Sequence, residues 1–192
     1  MKLTRFKFIA LVVAALLGAA ALPAQEKKAR KARPSPPATV SADIDGNEVK
    51  IAYSRPGAKD PKGGEVRKIW GGLVPYGKVW RTGANEATLL TIAKPITIGG
   101  FALAAGTYSL FTVPQADGSA KLVINKKTGQ WGIPYNEDSE KANELARLDL
   151  KKGKTDANVD PFTMAVEKTG AGAGVIKMAW EDTQYSIAFK NQ

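Results

Sequence analysis

The 192-residue sequence contains neither cysteine nor histidine. Without cysteine there is no disulfide, no thiolate nucleophile and no Cys-ligated zinc or iron–sulfur cluster. Without histidine the chain lacks the commonest general base and the commonest transition-metal ligand. Ser-His-Asp hydrolysis and a histidine metal centre are therefore excluded, and no recognisable catalytic motif takes their place. We expect no cofactor and no metal site, and the sequence leaves open whether the protein is an enzyme.

The first 24 residues have the pattern of a secretory signal peptide. Lys2, Arg5 and Lys7 precede an apolar run over residues 8–21, and small residues follow that run. The run is shorter than the ~20 apolar residues that a membrane-spanning helix needs. The sequence therefore predicts an exported protein, periplasmic or extracellular, with no transmembrane segment after signal cleavage.

The formal net charge of +10 is distributed unevenly along the chain. Three positive charges lie in the predicted signal peptide. Residues 25–37 carry a net +4 together with three prolines, which leaves +3 for residues 38–192. A Lys/Arg- and Pro-rich run of this kind is typical of a disordered tail. Because the remainder is only mildly basic, nucleic acid is not an expected partner.

Residues 38–192 show the period-2 alternation and the closely spaced turns of a single antiparallel all-β domain. Asp45-Gly46-Asn47 has the composition of a tight hairpin turn. Short apolar segments separated by turn residues recur every ~8–12 residues, which predicts a β-sandwich or barrel-like domain of about nine short strands with little helix. We also expect a short helical turn before residue 145, a polar loop over residues 153–160 and a hairpin loop over residues 181–183.

The stretch from Arg67 to Thr91, RKIWGGLVPYGKVWRTGANEATLLT, concentrates aromatic, charged and amide side chains between glycines. Aromatic faces stack on sugar rings, and arginine offers a planar fork of donors to carboxylates and sugar hydroxyls. We interpret this stretch as a non-catalytic binding site for a small polar ligand or glycan. The candidate binding residues are Arg55, Tyr76, Lys78, Trp80, Arg81, Asn85 and Glu86.

Two other functions fit the same residues. Glu86 could act as the acid or base of a cell-envelope hydrolase, but the sequence shows no second carboxylate beside it, as glycoside hydrolysis requires. Alternatively, Glu86 pairs with Arg81 or Arg55 to pin the loop, and Trp80 belongs to the core. The domain would then be a structural or interaction module whose edge strands pair with a partner. The sequence indicates neither a catalytic residue nor an oligomeric state.

Four blocks of sequence carry a family resemblance: YSRP at residues 53–56, IWGGLVPYGKVWRTGANEAT at 69–88, AGTYSLFTVP at 105–114 and INKKTGQWG at 124–132. They resemble a family of exported bacterial proteins catalogued as domain of unknown function 2911. The resemblance implies an all-β exported domain and supplies no activity, substrate or catalytic residue. It departs at residues 57–66, where related sequences have a shorter link.

Overall fold

The structure is a computed structural model that describes residues 32–192. The described residues form ten β-strands and one short helix, α1 (Glu137–Lys141), and every strand pair is antiparallel. The predicted signal peptide and most of the predicted basic tail lie outside these residues. Within residues 32–192, no helix has the length and apolar character needed to cross a membrane.

The strands are arranged in two sheets. The six strands of the first sheet are, in spatial order, β1 (Pro37–Asp43), β2 (Glu48–Ser54), β3 (Thr88–Ile92), β6 (Gly106–Pro114), β7 (Ala120–Asn125) and β8 (Glu144–Asp149). The four strands of the second sheet are, in spatial order, β5 (Phe101–Leu103), β4 (Ile96–Ile98), β10 (Ala173–Asn191) and β9 (Lys151–Gly170).

The main hydrophobic core lies between the two sheets. Alternate residues of the strands are buried, such as Ile51 and Leu90 from the first sheet and Phe162, Ile176 and Trp180 from the second. Period-2 burial of this kind is what allows two sheets to pack face to face. The predicted all-β antiparallel fold is confirmed, and the architecture is a sandwich rather than a closed barrel.

The hairpin turn between β1 and β2 forms where the sequence predicts it. Ile44 N donates to Asn47 O at 2.9 Å, and Asn47 N donates to Ile44 O at 3.2 Å. The two residues between them, Asp45 and Gly46, have φ values of 51° and 79°. Positive φ at both central positions defines the type I′ turn, whose twist matches that of the paired strands.

The last two strands differ from the prediction. The loop predicted over residues 153–160 is instead the first half of β9, where Gly153 pairs with Gln184 in β10. The hairpin loop predicted over residues 181–183 is also wrong. The chain continues as β10 through a bulge at Glu181, which has a φ of 54°. The predicted short helical turn corresponds to α1, and β8 follows it.

A smaller apolar cluster covers the outer face of the first sheet. Phe111 and Val123 are buried there, and Tyr135 packs its ring edge-to-face against Phe111 with centroids 4.9 Å apart. The chain that follows β7 therefore crosses the outside of the sheet. This path brings residues 130–133 beside the segment that carries the predicted site.

Candidate functional site

The candidate site lies on the long connection between β2 and β3, residues 55–87. Its middle part turns back on itself, because Gly71 N donates to Val74 O at 2.9 Å. Gly72 has no room for a side chain, since an added Cβ would lie 2.3 Å from the Lys68 carbonyl oxygen. Gly72 therefore allows a close approach of the backbone to itself.

Trp80 belongs to the core. Its backbone exchanges two hydrogen bonds with Thr112 of β6, at 2.8 and 2.7 Å, and its side chain is 8% exposed. The indole ring stacks on Trp180 with centroids 6.0 Å apart and contacts Phe162 edge-to-face at 5.1 Å. These contacts fix the backbone position of the next residue, Arg81.

The turn after Arg81 has an unusual backbone conformation. Thr82, Gly83 and Asn85 have φ values of 52°, 145° and 61°, and Thr82 is β-branched, so its left-handed conformation is strained. Hydrogen bonds of buried hydroxyls stabilise this conformation of Thr82. Thr82 Oγ1 lies 2.7 Å from Thr112 Oγ1, and Thr88 Oγ1 donates to Thr82 O at 2.7 Å. Strain that the surroundings enforce in this way is typical of binding sites.

A cleft of about 470 Å³ opens beside this turn. Its volume lies within the ~300–1,000 Å³ that is usual for small-molecule sites. The lining contains three cations and one carboxylate, together with apolar groups. The charged lining residues are Lys59, Asp60, Arg67 and Arg81, and the apolar side chains include Leu73, Ile133, Trp80 and Trp180.

Arg81 is a half-buried cation of this cleft, whereas Lys59 is exposed. Its Nη1 donates to Asn85 O at 3.1 Å, its buried Nε has no hydrogen-bond partner, and no carboxylate within residues 32–192 forms an ion pair with it. Burial lowers the pKa of the guanidinium, and the nearby charge of Glu86 opposes that shift only in part. The aliphatic part of Arg81 packs under Gly132, where an added Cβ would lie 2.4 Å from Arg81 Cδ.

The end of the predicted basic tail lies against the same turn. Asn85 Nδ2 donates to Ser35 O at 3.0 Å, and Ser35 is part of the cleft lining. The exposed carboxylate of Glu86 accepts hydrogen bonds from Arg33. The pKa of Glu86 is lowered, first by a hydrogen bond from its own backbone amide and then by Arg33. Glu86 therefore does not serve as the counter-ion of Arg81.

Residues 35–189 match the family model described as "Protein of unknown function (DUF2911)". The chain belongs to this family. The DUF2911 match begins at Ser35, in the wall of the cleft, and ends within β10, so it includes every residue that lines the cleft except Pro34. The family resemblance stated from the sequence is confirmed. No curated protein and no solved structure matches the chain.

Three of the seven predicted binding residues of this DUF2911 protein line the cleft: Trp80, Arg81 and Asn85. Arg55 does not, because its guanidinium is used within the fold. Arg55 Nε donates to Phe162 O at 3.1 Å and Nη2 donates to Thr163 Oγ1 at 2.7 Å, which ties the end of β2 to β9 in the opposite sheet. The other predicted residues outside the lining are Tyr76, Lys78 and Glu86.

Tyr76 and Lys78 both lie on the surface. Tyr76 is 41% exposed and packs its ring over Gly71, where an added Cβ would lie 2.5 Å from the ring. Lys78 is exposed and forms no hydrogen bond or ion pair with any residue from 32 to 192. Tyr76 instead lines a second and smaller cavity, which it shares with Trp70.

Several cleft residues were not among the predicted ones, notably Lys59, Asp60 and Ile133. Lys59 and Asp60 lie in a loop whose Asp/Pro/Gly composition predicts a turn but not its position over the cleft. Asp60 caps that turn, because its Oδ1 accepts from Lys62 N at 2.7 Å, and these backbone hydrogen bonds lower its pKa. Within residues 32–192, no group of three or more acidic side chains is placed to hold a metal ion.

Proposed function

We propose that this domain binds a small polar ligand or glycan that carries a carboxylate, in the cleft beside Arg81 and without catalysis. The observation that carries the proposal is the state of Arg81, a partly buried guanidinium that lines the cleft and forms no ion pair with a carboxylate of residues 32–192. A cation that has lost water without gaining a counter-ion is destabilising on its own, and a ligand carboxylate would supply the missing charge. An exported location, periplasmic or extracellular, is part of the proposal.

The rest of the lining supports an anionic ligand. Lys59, Arg67 and Arg81 outnumber the single carboxylate of Asp60, so the cleft favours negative charge. Leu73 and Ile133 offer apolar surface to the carbon skeleton of the ligand. An apolar surface with a few polar groups that fix orientation is the usual composition of a small-molecule site.

Binding is favoured over hydrolysis by the carboxylates of Asp60, which lines the cleft, and Glu86, which follows Asn85 of the lining. A general acid that works near neutral pH needs a raised pKa. The pKa values of Glu86 and Asp60 are both lowered, Glu86 chiefly by its own backbone amide and Asp60 chiefly by the backbone amide of Lys62. Glu86 is in addition held by Arg33 and does not line the cleft.

The proposal is tested by thermal unfolding with a panel of acidic sugars and small carboxylates, each paired with its neutral alcohol or amide. A ligand at 100 times its Kd stabilises the folded state by about 2.7 kcal/mol. For a domain of this size that energy raises Tm by roughly 5–10 °C. We expect at least one acid to raise Tm while its neutral counterpart does not.

Arg81→Gln should abolish that rise and leave the unliganded Tm equal to or above that of the wild type, because the unpaired charge is removed. The matched control is Lys78→Gln, which removes an exposed positive charge from the same segment but outside the cleft, and it should retain the rise. The proposal fails if no acid in the panel raises Tm, or if Arg81→Gln responds to the acid as the wild type does.

A further inference from the structure

A second cavity, of about 140 Å³, adjoins the same segment on the other side of its aromatic residues. Trp70 contacts Trp80 edge-to-face at 6.1 Å and Tyr185 edge-to-face at 5.6 Å. Trp80 lines the cleft of Arg81, whereas Trp70 and Tyr185 line the second cavity. The two spaces share no lining residue, so the second one needs its own explanation.

The indole N–H of Trp70 is the first feature that points to a ligand there. Trp70 Nε1 is closed off from solvent and has no hydrogen-bond partner within residues 32–192. A buried donor left unpaired is destabilising, and nearly all such groups in proteins are satisfied. Since no described protein atom accepts this hydrogen bond, the acceptor has to come from outside residues 32–192.

One ordered water is the smallest acceptor, but the cavity is larger than a water needs. Its volume of about 140 Å³ is several times the ~30 Å³ that one water occupies in the liquid. It is also smaller than the ~300 Å³ at the lower end of small-molecule sites. The space therefore suits one small polar group, such as one edge of a larger ligand. Because Trp70 Nε1 is closed off from solvent, a wall of the cavity has to move for such a group to reach the indole.

The charged residues that line this cavity indicate which charge the bound ligand group can have. Lys152 and Asp117 are the charged residues of this cavity, one of each sign. Lys152 Nζ lies over Gly118, 2.5 Å from where an added Cβ would be, and it forms no ion pair within residues 32–192. Asp117 Oδ1 accepts from Ser119 N and Oγ at 2.8 and 2.7 Å. An anion would be repelled by Asp117 and a cation by Lys152, so the lining favours a neutral group.

A neutral group that meets both an ammonium donor and a carboxylate acceptor has to accept and to donate hydrogen bonds. Hydroxyl groups do both. The walls beside these charges are the rings of Trp70, Tyr76 and Tyr185, which pack against the C–H face of a sugar. We propose that this cavity is a second binding site, which takes the hydroxyl-bearing edge of one neutral sugar residue.

In this site Trp70 Nε1 and Lys152 donate to sugar oxygens, and Asp117 accepts from a sugar hydroxyl. The hydroxyl of Tyr185 donates its hydrogen to Gly118 O at 3.2 Å. It can therefore only accept a hydrogen bond from the sugar. The second site is neutral and the cleft of Arg81 is cationic. The inference therefore stands whether or not the cleft binds a carboxylate.

The test uses the indole resonances of the ¹⁵N-labelled protein. The chain has four tryptophans, and Trp70→Phe identifies the Trp70 signal. Methyl glycosides of glucose, galactose, mannose and N-acetylglucosamine are titrated to about 100 mM, which saturates a site of millimolar Kd. We expect at least one of them to shift the Trp70 signal saturably, while the signal of the exposed Trp131 stays in place.

Lys152→Ala should lower the affinity for that sugar at least about tenfold, a loss of ~1.4 kcal/mol in binding free energy. The variant should have the same Tm as the wild type, because Lys152 is exposed on an edge strand. Lys151→Ala is the matched control and should bind normally, since Lys151 does not line this cavity. Arg81→Gln should also bind the sugar normally, which separates this result from the test of the cleft.

Two outcomes overturn the inference. If none of the four glycosides moves the Trp70 signal, the indole is satisfied by water alone. If the signal moves equally in Lys152→Ala, the sugar binds elsewhere and the shift is indirect.

Discussion

Arg33 Nη1 donates hydrogen bonds to both carboxylate oxygens of Glu86, at 2.8 and 2.9 Å. The contact joins the end of the predicted basic tail to the segment that carries the cleft. Two backbone carbonyls reinforce it: Ser35 O accepts from Asn85 Nδ2 at 3.0 Å, and Pro36 O accepts from Arg55 N at 2.9 Å. The carboxylate that the sequence offered as a ligand-binding group therefore fastens residues 33–36 beside the site.

Glu86→Gln and Arg33→Ala should each lower the free energy of unfolding by less than about 1 kcal/mol, because both side chains are roughly half exposed. The folded state lowers the pKa of Glu86, so the contribution is present above the usual pKa of glutamate and is lost as the pH falls through the folded-state value. Urea unfolding at neutral and at acidic pH measures this difference. A loss above ~2 kcal/mol for either variant at neutral pH would contradict the expectation for an exposed pair.

Arg55→Ala should lower the free energy of unfolding more than Glu86→Gln or Arg33→Ala does. Its guanidinium bridges the two sheets through Phe162 O and Thr163 Oγ1, and hydrogen bonds to a charged group are worth about 1.5–3 kcal/mol. We expect a loss of about 2 kcal/mol in the free energy of unfolding with unchanged ligand affinity. Urea unfolding measures the free energy of unfolding, and ligand titration measures the affinity. The control is Lys78→Ala, at an exposed position. Normal stability together with lost binding would show that Arg55 is a ligand contact after all.

Gly132→Ala should disturb the site through Arg81. The new Cβ would lie 2.4 Å from Arg81 Cδ, within the aliphatic part of the side chain, so the Arg81 side chain has to move. Overpacking of this kind costs about 1–3 kcal/mol, and we expect affinity for an acidic ligand to fall in parallel. The control is Gly170→Ala, where an added Cβ meets nothing within 4 Å. If Gly132→Ala binds and melts like the control, the position of Arg81 is not fixed as described.

Glu181→Gln should stabilise the domain at neutral pH. Burial raises the pKa of Glu181, and the neighbouring charges of Asp182 and Asp160 raise it further. For a carboxyl with a raised folded-state pKa, stability is greatest below the unfolded pKa and declines as the pH rises through the folded value. The variant should therefore melt above the wild type at pH 7 and equal it below about pH 4. The control is Glu65→Gln, at an exposed loop position. A lower Tm at pH 7 would show that the Glu181 carboxylate stabilises the bulge.

Features that depend on neighbouring residues were predictable from the sequence. The turn at Asp45 and Gly46 forms because those two residue types tolerate positive φ, a property that needs no information from the rest of the chain. The period-2 alternation from which the all-β fold was predicted is present in β2, β3 and β4. Their pattern shows directly which side chains face the core.

Features created by distant partners were not predictable. Residues 153–160 have mostly exposed side chains and no apolar alternation, so only their pairing with β10 makes them a strand. The roles of Arg55 and Glu86 were missed because their partners lie 107 and 53 residues away along the chain. The position of Arg81 in the cleft depends partly on neighbours in sequence, Trp80 and Asn85, and partly on Gly132, which lies 51 residues away along the chain.

The loop of residues 57–67, which forms one wall of the cleft, is closed by its own hydrogen bonds. Asp60 N donates to Glu65 O at 2.8 Å, Arg67 N donates to Ala58 O at 3.0 Å, and the Arg67 guanidinium donates to Gly57 O at 2.6 Å. These bonds use backbone atoms and the side chain of Arg67, so the side chains of residues 61–63 can be changed while both sheets and the Arg81 turn keep their contacts. For the binding that we propose, randomising these positions would change selectivity around a fixed guanidinium.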